Sequence, residues 1–178
     1  MRRSPPGPRS VRVVVLRHGP AEVRDPARWP DDDRRPLTDK GRLQARRAAR
    51  GLARLVAPVD RIATSPADRA RGTAEAVRDV LRARRDAETW EELGSGRLAG
   101  PLFERIARTA KNRETVVLVG HDPTLTEFVG LALAGEGIAL VRLGKSGAAL
   151  LEFPASVGPR AGRLLWLLTR KQLSAVGG

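Results

Sequence analysis

The sequence predicts an α/β fold, a three-layer αβα sandwich built on a mixed, mainly parallel sheet. Three observations predict it. Two aliphatic, β-branched runs, 11–16 (VRVVVL) and 115–119 (TVVLV), have the composition of strands buried on both faces. Segments with apolar residues at helical spacing lie between the early strands, the order of βαβ units. Two extended runs close the chain, 147–153 and 163–169, joined only by a Pro/Gly loop; they read as a hairpin-like pair and make the sheet mixed.

A length of 178 residues suits one domain with a real core and is short for two. Residues 11–178 are therefore expected to form a single domain behind a flexible Pro- and Arg-rich tail at 1–10. No apolar run approaches the length that spans a bilayer, and no hydrophobic region follows the first arginines. Neither a membrane anchor nor a signal is expected, and the expected location is the cytoplasm. Without cysteine there are no disulfides and no thiolate metal ligands. The formal charge of +13 comes almost wholly from arginine, since lysine occurs only at 40, 111, 145 and 171. Spread over several predicted helices and not interleaved with aromatics, these arginines read as a compositional bias, and no specific nucleic-acid partner is expected. The positive field would still draw in phosphorylated substrates.

In chain order, the strand 11–16 ends in Arg17-His18-Gly19, and residues 20–37, with four prolines and Asp31-Asp32-Asp33, read as loop. The acidic triplet reads as a solvated turn partly balanced by Arg34 and Arg35. Thr38 is the expected N-cap of a helix whose apolar positions are Ala45, Ala48, Ala49, Leu52, Leu55 and Val56, slightly weakened by Gly51. A strand is expected at 59–64, then a second helix with Ser65 at its N-cap, Pro66 at N1 and Asp68 at N3. A short extended piece near 87–90, a loop through 94–100 and a helix over 102–112 precede the strand 115–119. A helix from 123 to 134 follows, with Asp122 capping its start and Gly135 beyond its end.

The chain has two histidines, His18 and His121, and each follows a strand of the same kind. Ligands of open α/β sheets bind outside the carboxyl ends of the strands, so Arg17 and His18 read as an anion site with a candidate nucleophile. Gly144-Lys145-Ser146 is not the end of a P-loop, because position 139 is alanine and the residues that follow read as a strand. Two histidines on separate strands leave too few ligands for zinc, and no metal or other cofactor is expected.

Four ordered blocks carry a resemblance: Leu16-Arg17-His18-Gly19, Arg35-Pro36-Leu37-Thr38-Asp39-Lys40-Gly41, Thr64 to Ala74 (TSPADRARGTA), and Val119-Gly120-His121-Asp122-Pro123. Together they resemble the signatures of the histidine phosphatase superfamily, which includes the phosphoglycerate mutases, from about residue 11 to the end. The short chain, the Arg-Pro-Leu-Thr block and the late Lys145-Ser146-Gly147-Ala148 are most similar to the SixA-type phosphohistidine phosphatases. The resemblance implies a phosphoglycerate mutase-like fold, His18 as nucleophile, Arg17 and Arg69 as phosphate-binding arginines, and His121 as the second histidine of the site.

The chemistry agrees with those assignments. A phosphoryl dianion needs compensating charge that two guanidinium forks supply bidentately. His18 must be neutral at the attacking nitrogen, so its other nitrogen should donate to a backbone carbonyl. A protonated His121 would hold a third oxygen. Arg71, two residues from Arg69, should point elsewhere on the helix. Relatives that cleave esters use a carboxylate as general acid; Glu92 is the positional candidate here, with Glu91 and Glu22 as alternatives. The expected activity is metal-independent dephosphorylation of phosphohistidine on a partner protein, such as a histidine phosphotransfer domain. The rivals are a phosphomonoesterase acting on small phosphate esters and, in another class, a non-catalytic basic phosphate- or nucleic-acid-binding module.

Overall fold

The computed structural model describes residues 10–83 and 86–178, so the expected tail lies outside the described residues except for Ser10. Ser10 is tied down: its amide donates to Asn112 Oδ1 at 2.9 Å and its carbonyl accepts from the Arg113 amide. The elements are β1 (Val11–Arg17), α1 (Asp39–Val56), β2 (Arg61–Thr64), α2 (Asp68–Leu81), β3 (Glu88–Thr89), α3 (Gly100–Thr109), β4 (Thr115–Gly120), α4 (Thr124–Ala134), β5 (Ala148–Phe153), β6 (Arg163–Leu168) and α5 (Arg170–Gly177). Short 3-10 turns occur at Asp32–Arg34 and Glu91–Leu93.

The sheet order is β3-β2-β4-β1-β5-β6. The first four strands run parallel, while β5 is antiparallel to both β1 and β6, which gives the mixed sheet that the terminal pair predicts. Alternation along the central strands makes the layers. Val13, Val15, Val116 and Leu118 join one core with α3 and α4, and Val14, Leu16, Val117 and Val119 the other with α1, α2 and α5. Each of these eight side chains is fully buried, and such burial contributes about 1.5–3 kcal/mol per residue. A stiff two-sided core thus holds the carboxyl ends of β1 and β4 in place.

Thr38 caps α1, its hydroxyl accepting from the Gly41 amide at 2.9 Å, and Gly135 ends α4 in the left-handed region at φ 78°. Boundaries elsewhere shift. β2 begins two residues later than expected, and α3 covers Gly100–Thr109, where Pro101 starts the helix without needing an amide partner. α5 is not foreseen by apolar spacing. Its signal was a capping box: the Thr169 hydroxyl accepts from the Gln172 amide while the Gln172 side chain accepts from the Thr169 amide. Arg42, Arg46, Arg50 and Arg54 stand four apart on the exposed face of α1, and the first two share a depression with Glu75 and Asp79 of α2.

Gly51, read from sequence as a mild helix weakener, is a packing requirement. A Cβ there would lie 2.2 Å from the Leu173 carbonyl oxygen of α5. Gly51→Ala gains about 1 kcal/mol of helix propensity, but backbone cannot yield as a flexible side chain does, and overpacking of this kind costs about 1–3 kcal/mol or more. The expected result is a lower urea midpoint with α5 displaced. A midpoint raised by the propensity gain would show that α5 can slide aside freely.

Candidate active site

The strand register brings the histidines together. β1 and β4 are parallel neighbours with Arg17 opposite Gly120, so the next residues, His18 and His121, emerge side by side, and the His18 amide donates to the Gly120 carbonyl at 3.1 Å. The ring centroids lie 5.0 Å apart with the planes inclined at 57°. Both side chains are buried, at 6% and 3% exposure. His18 Nδ1 lies 2.6 Å from the Gly19 carbonyl oxygen. A carbonyl can only accept, so Nδ1 carries the proton and the lone pair is on Nε2. The Gly19 amide in turn donates to Thr73 Oγ1, whose hydroxyl donates to the Arg69 carbonyl, tying the loop after β1 to α2.

β2 lies on the other side of β4, and the Ser65 amide donates to the Val119 carbonyl. This places Ser65 Oγ 2.8 Å from His121 Nε2, with the Ala67 amide also donating to it at 3.2 Å. The expected cap at Ser65 is therefore corrected: α2 begins at Asp68 with Ala67 at the cap position, because the serine hydroxyl is engaged by the imidazole and the Ala67 amide. Asp122 does not cap α4 as expected either. Its carboxylate accepts from Thr126 Oγ1 at 2.7 Å and faces Arg17 Nη1 at 3.6 Å.

The two arginines are held alike. Arg17 Nη1 donates to the Leu143 carbonyl at 2.8 Å, and Arg69 Nη1 donates to the Asp32 carbonyl at 2.6 Å. The Nε atom of each is buried without a partner. Nε and Nη2 share one edge of a guanidinium, so anchoring through Nη1 leaves the Nε end of that edge without an acceptor on both side chains, while on Arg69 the Nη2 end faces a carboxylate. Arg71 is the contrast, half-exposed and paired with Asp68 at 2.5 Å. The acidic triplet is not simply a solvated turn. Asp32 pairs with Arg35, as expected for balance, but its Oδ2 also lies 3.3 Å from Arg69 Nη2. The chain folds this loop over α2, a contact that local charge counting cannot foresee.

Glu92 is not brought into contact with the imidazoles. It is half-buried in the turn Glu91–Leu93 and lines a depression of about 490 Å³ with Glu91, Arg97, Leu98 and Pro101, which neither histidine lines. That depression adjoins the site, because Leu93 packs on Gly120 and the Arg97 carbonyl accepts from Thr124 Oγ1 at the start of α4. Glu22 is half-buried in the loop after β1, its carbonyl accepting from Arg35 Nη1.

Burial holds the His18 imidazole at about 3 against an ordinary 6.5; the Gly19 carbonyl opposes the shift, and His121, Arg69 and Arg17 add to it. Burial likewise lowers His121 to about 4, with Arg69 and Arg17 contributing. Both guanidiniums thus act on both rings. The expected protonated His121 is not the form of the free site near neutrality, because a buried imidazole between two guanidiniums loses its proton. A dianion entering the site would reverse that balance.

Residues 13–115 match the sequence profile of the histidine phosphatase superfamily (branch 1). The chain belongs to that superfamily. The profile match ends before His121, so the second histidine of this histidine phosphatase superfamily hydrolase enters through geometry rather than through the matched segment. The fold is similar to the structure of the protein histidine phosphatase SixA complexed with tungstate, at 25% identity and TM-score 0.78, covering 91% of this chain and 99% of that one. It is similar also to a chain assigned as phosphohistidine phosphatase SixA from Agrobacterium tumefaciens, at 26% identity and TM-score 0.72 over 91% and 98%. Phosphoserine phosphatase from Entamoeba histolytica, solved with 3-phosphoglyceric acid, shares the fold at 16% identity and TM-score 0.65 over 92% and 99%. No curated protein matches the sequence. No described helix is long and apolar enough to cross a membrane.

Proposed function

We propose that this protein is a metal-independent phosphohistidine phosphatase that works through a phosphorylated His18 and takes its phosphoryl group from a histidine on a partner protein. The observation that carries the reading is the pair of buried guanidiniums, each anchored through Nη1 with its Nε unpartnered, beside two imidazoles 5.0 Å apart. Two guanidiniums and the His121 ring as donors, with the His18 lone pair facing the same space, match a tetrahedral phosphoryl group, and the similar SixA structure is described as complexed with tungstate, an anion of that shape. His18 Nε2 attacks phosphorus, the bond to the substrate nitrogen breaks, and its electron pair leaves with the imidazole. Water then cleaves the new phosphorus–nitrogen bond, releasing inorganic phosphate and restoring His18. Arg17 and Arg69 neutralise the equatorial oxygens, and His121, held through Nε2 by Ser65, supplies a further donor whose proton affinity rises as the dianion arrives.

The leaving imidazole has a reference pKa of about 6.5, so it needs far less help than an alkoxide. Glu92 is accordingly assigned as a general acid that matters chiefly for esters. Glu92→Gln should lower kcat/KM for para-nitrophenyl phosphate by about tenfold to a hundredfold and for phosphohistidine by much less. Equal losses on both substrates, or none on either, would remove the assignment. The reading as a whole is tested by rapid quench with a phosphorus-labelled phosphotransfer domain followed by peptide mapping: label on His18 and release of phosphate are the expected result. Turnover confined to sugar phosphates or nucleotides would point instead to a small-ester phosphatase. Salt-sensitive DNA binding without any labelled intermediate would point to a binding module.

A further inference from the structure

From sequence Asp32 reads only as part of a solvated turn, but the fold engages it from two sides. Arg35 clamps its carboxylate bidentately, Nε to Oδ1 at 2.9 Å and Nη2 to Oδ2 at 3.1 Å, across the turn Asp32–Arg34. The same Oδ2 lies 3.3 Å from Arg69 Nη2, on the edge of that guanidinium which includes the unpartnered Nε. Asp33 Oδ1 stands farther off, at 3.8 Å. The Arg69 side chain is only 3% exposed, and a buried cation without a counterion is costly. In the free protein that counterion is Asp32, and in the occupied site it would be the phosphoryl group.

We propose that Asp32 is an internal counterion of the phosphate site, a positioning residue that neutralises Arg69 when the site is empty and competes with phosphate for its Nη2 edge. This rests on the phosphatase reading and adds to it a device that limits how tightly the product is held. The backbone carbonyl of Asp32 anchors Arg69 Nη1 independently of the side chain, so removing the carboxylate charge leaves that anchor in place. Arg35 is freed at the same time, and its charge already reaches His121. Both changes raise the positive potential at the site.

The sign of the effect separates this role from a structural one. Asp32→Asn should bind inorganic phosphate and tungstate about tenfold more tightly than the native protein, by calorimetry and as inhibitors of turnover. Loss of a merely structural contact would weaken both anions. Asp33→Asn, which removes a more distant and more exposed carboxylate, should tighten binding in the same direction by a smaller factor, and it serves if Asp32→Asn does not fold. Unchanged or weaker anion binding in the folded variant overturns the counterion role while leaving the phosphatase reading intact. Failure of the native protein to bind phosphate at all overturns both.

Discussion

His18→Ala is expected to eliminate the labelled phosphoenzyme and to lower turnover by about four orders of magnitude or more, because the variant loses the bond-forming atom itself and not a share of its environment. The substitution is mild for the fold. His18 sits beyond the end of β1, its amide stays bonded to Gly120 and the four preceding core residues are untouched. The imidazole is also uncharged in the native site, so no buried charge is left unpaired by its loss. Unfolding midpoints at pH 7 should therefore stay close while activity disappears. Phosphate binding should persist in the variant, since Arg17, Arg69 and their carbonyl anchors remain. A His18→Ala protein that still turns over and still carries label would place the covalent step elsewhere, and His121 is the first residue to map.

His18 and His121 were legible because the feature that selects them is local: a two-sided apolar strand that ends on a polar residue must present that residue at the sheet edge. Their adjacency was not legible from spacing. It depends on β4 lying between β1 and β2, a choice of strand order that no run of residues encodes, and the ordered blocks of the family supplied it instead. The same strand order explains Ser65. Its sequence neighbours, Pro66 and Asp68, favour a helix cap, but β2 beside β4 offers the hydroxyl a buried imidazole, and the tertiary contact prevails over the local preference. Asp122 and Asp32 follow the same pattern. Each carboxylate has a plausible local use, as a cap or a solvated turn, and each is drawn to a guanidinium 3.3–3.6 Å away that arrives from another element. Sites built from charges tend to be misread in this way, because Coulomb attraction ranks partners by distance in the fold and local patterns rank them by distance in the chain.

Acid should destabilise this protein more steeply than its carboxylates alone would. The imidazoles of His18 and His121 titrate near 6.5 when exposed in the unfolded chain and at about 3 and about 4 in the fold. Between those limits the unfolded chain binds protons that the folded chain refuses, so unfolding takes up protons and stability falls as pH falls. Above pH 6.5 neither ring is charged in either state and the contribution is complete. Below that, each ring removes up to about 1.4 kcal/mol per pH unit, so the pair together can remove several kcal/mol by pH 4, a large share of the 5–15 kcal/mol typical of a domain. Asp32, held below its ordinary range first by its hydrogen bond to Arg35 and also by Arg69, adds a loss in the same direction at still lower pH. Urea unfolding at a series of pH values should give a slope approaching two protons near pH 5. His18→Gln and His121→Gln should each reduce that slope by about one. Saturating phosphate should also flatten it, since a dianion against His121 restores that ring's affinity for its proton. A slope unchanged by either glutamine variant would mean that the two imidazoles are hydrated in solution, and with that the buried, neutral nucleophile on which the chemistry depends would be lost.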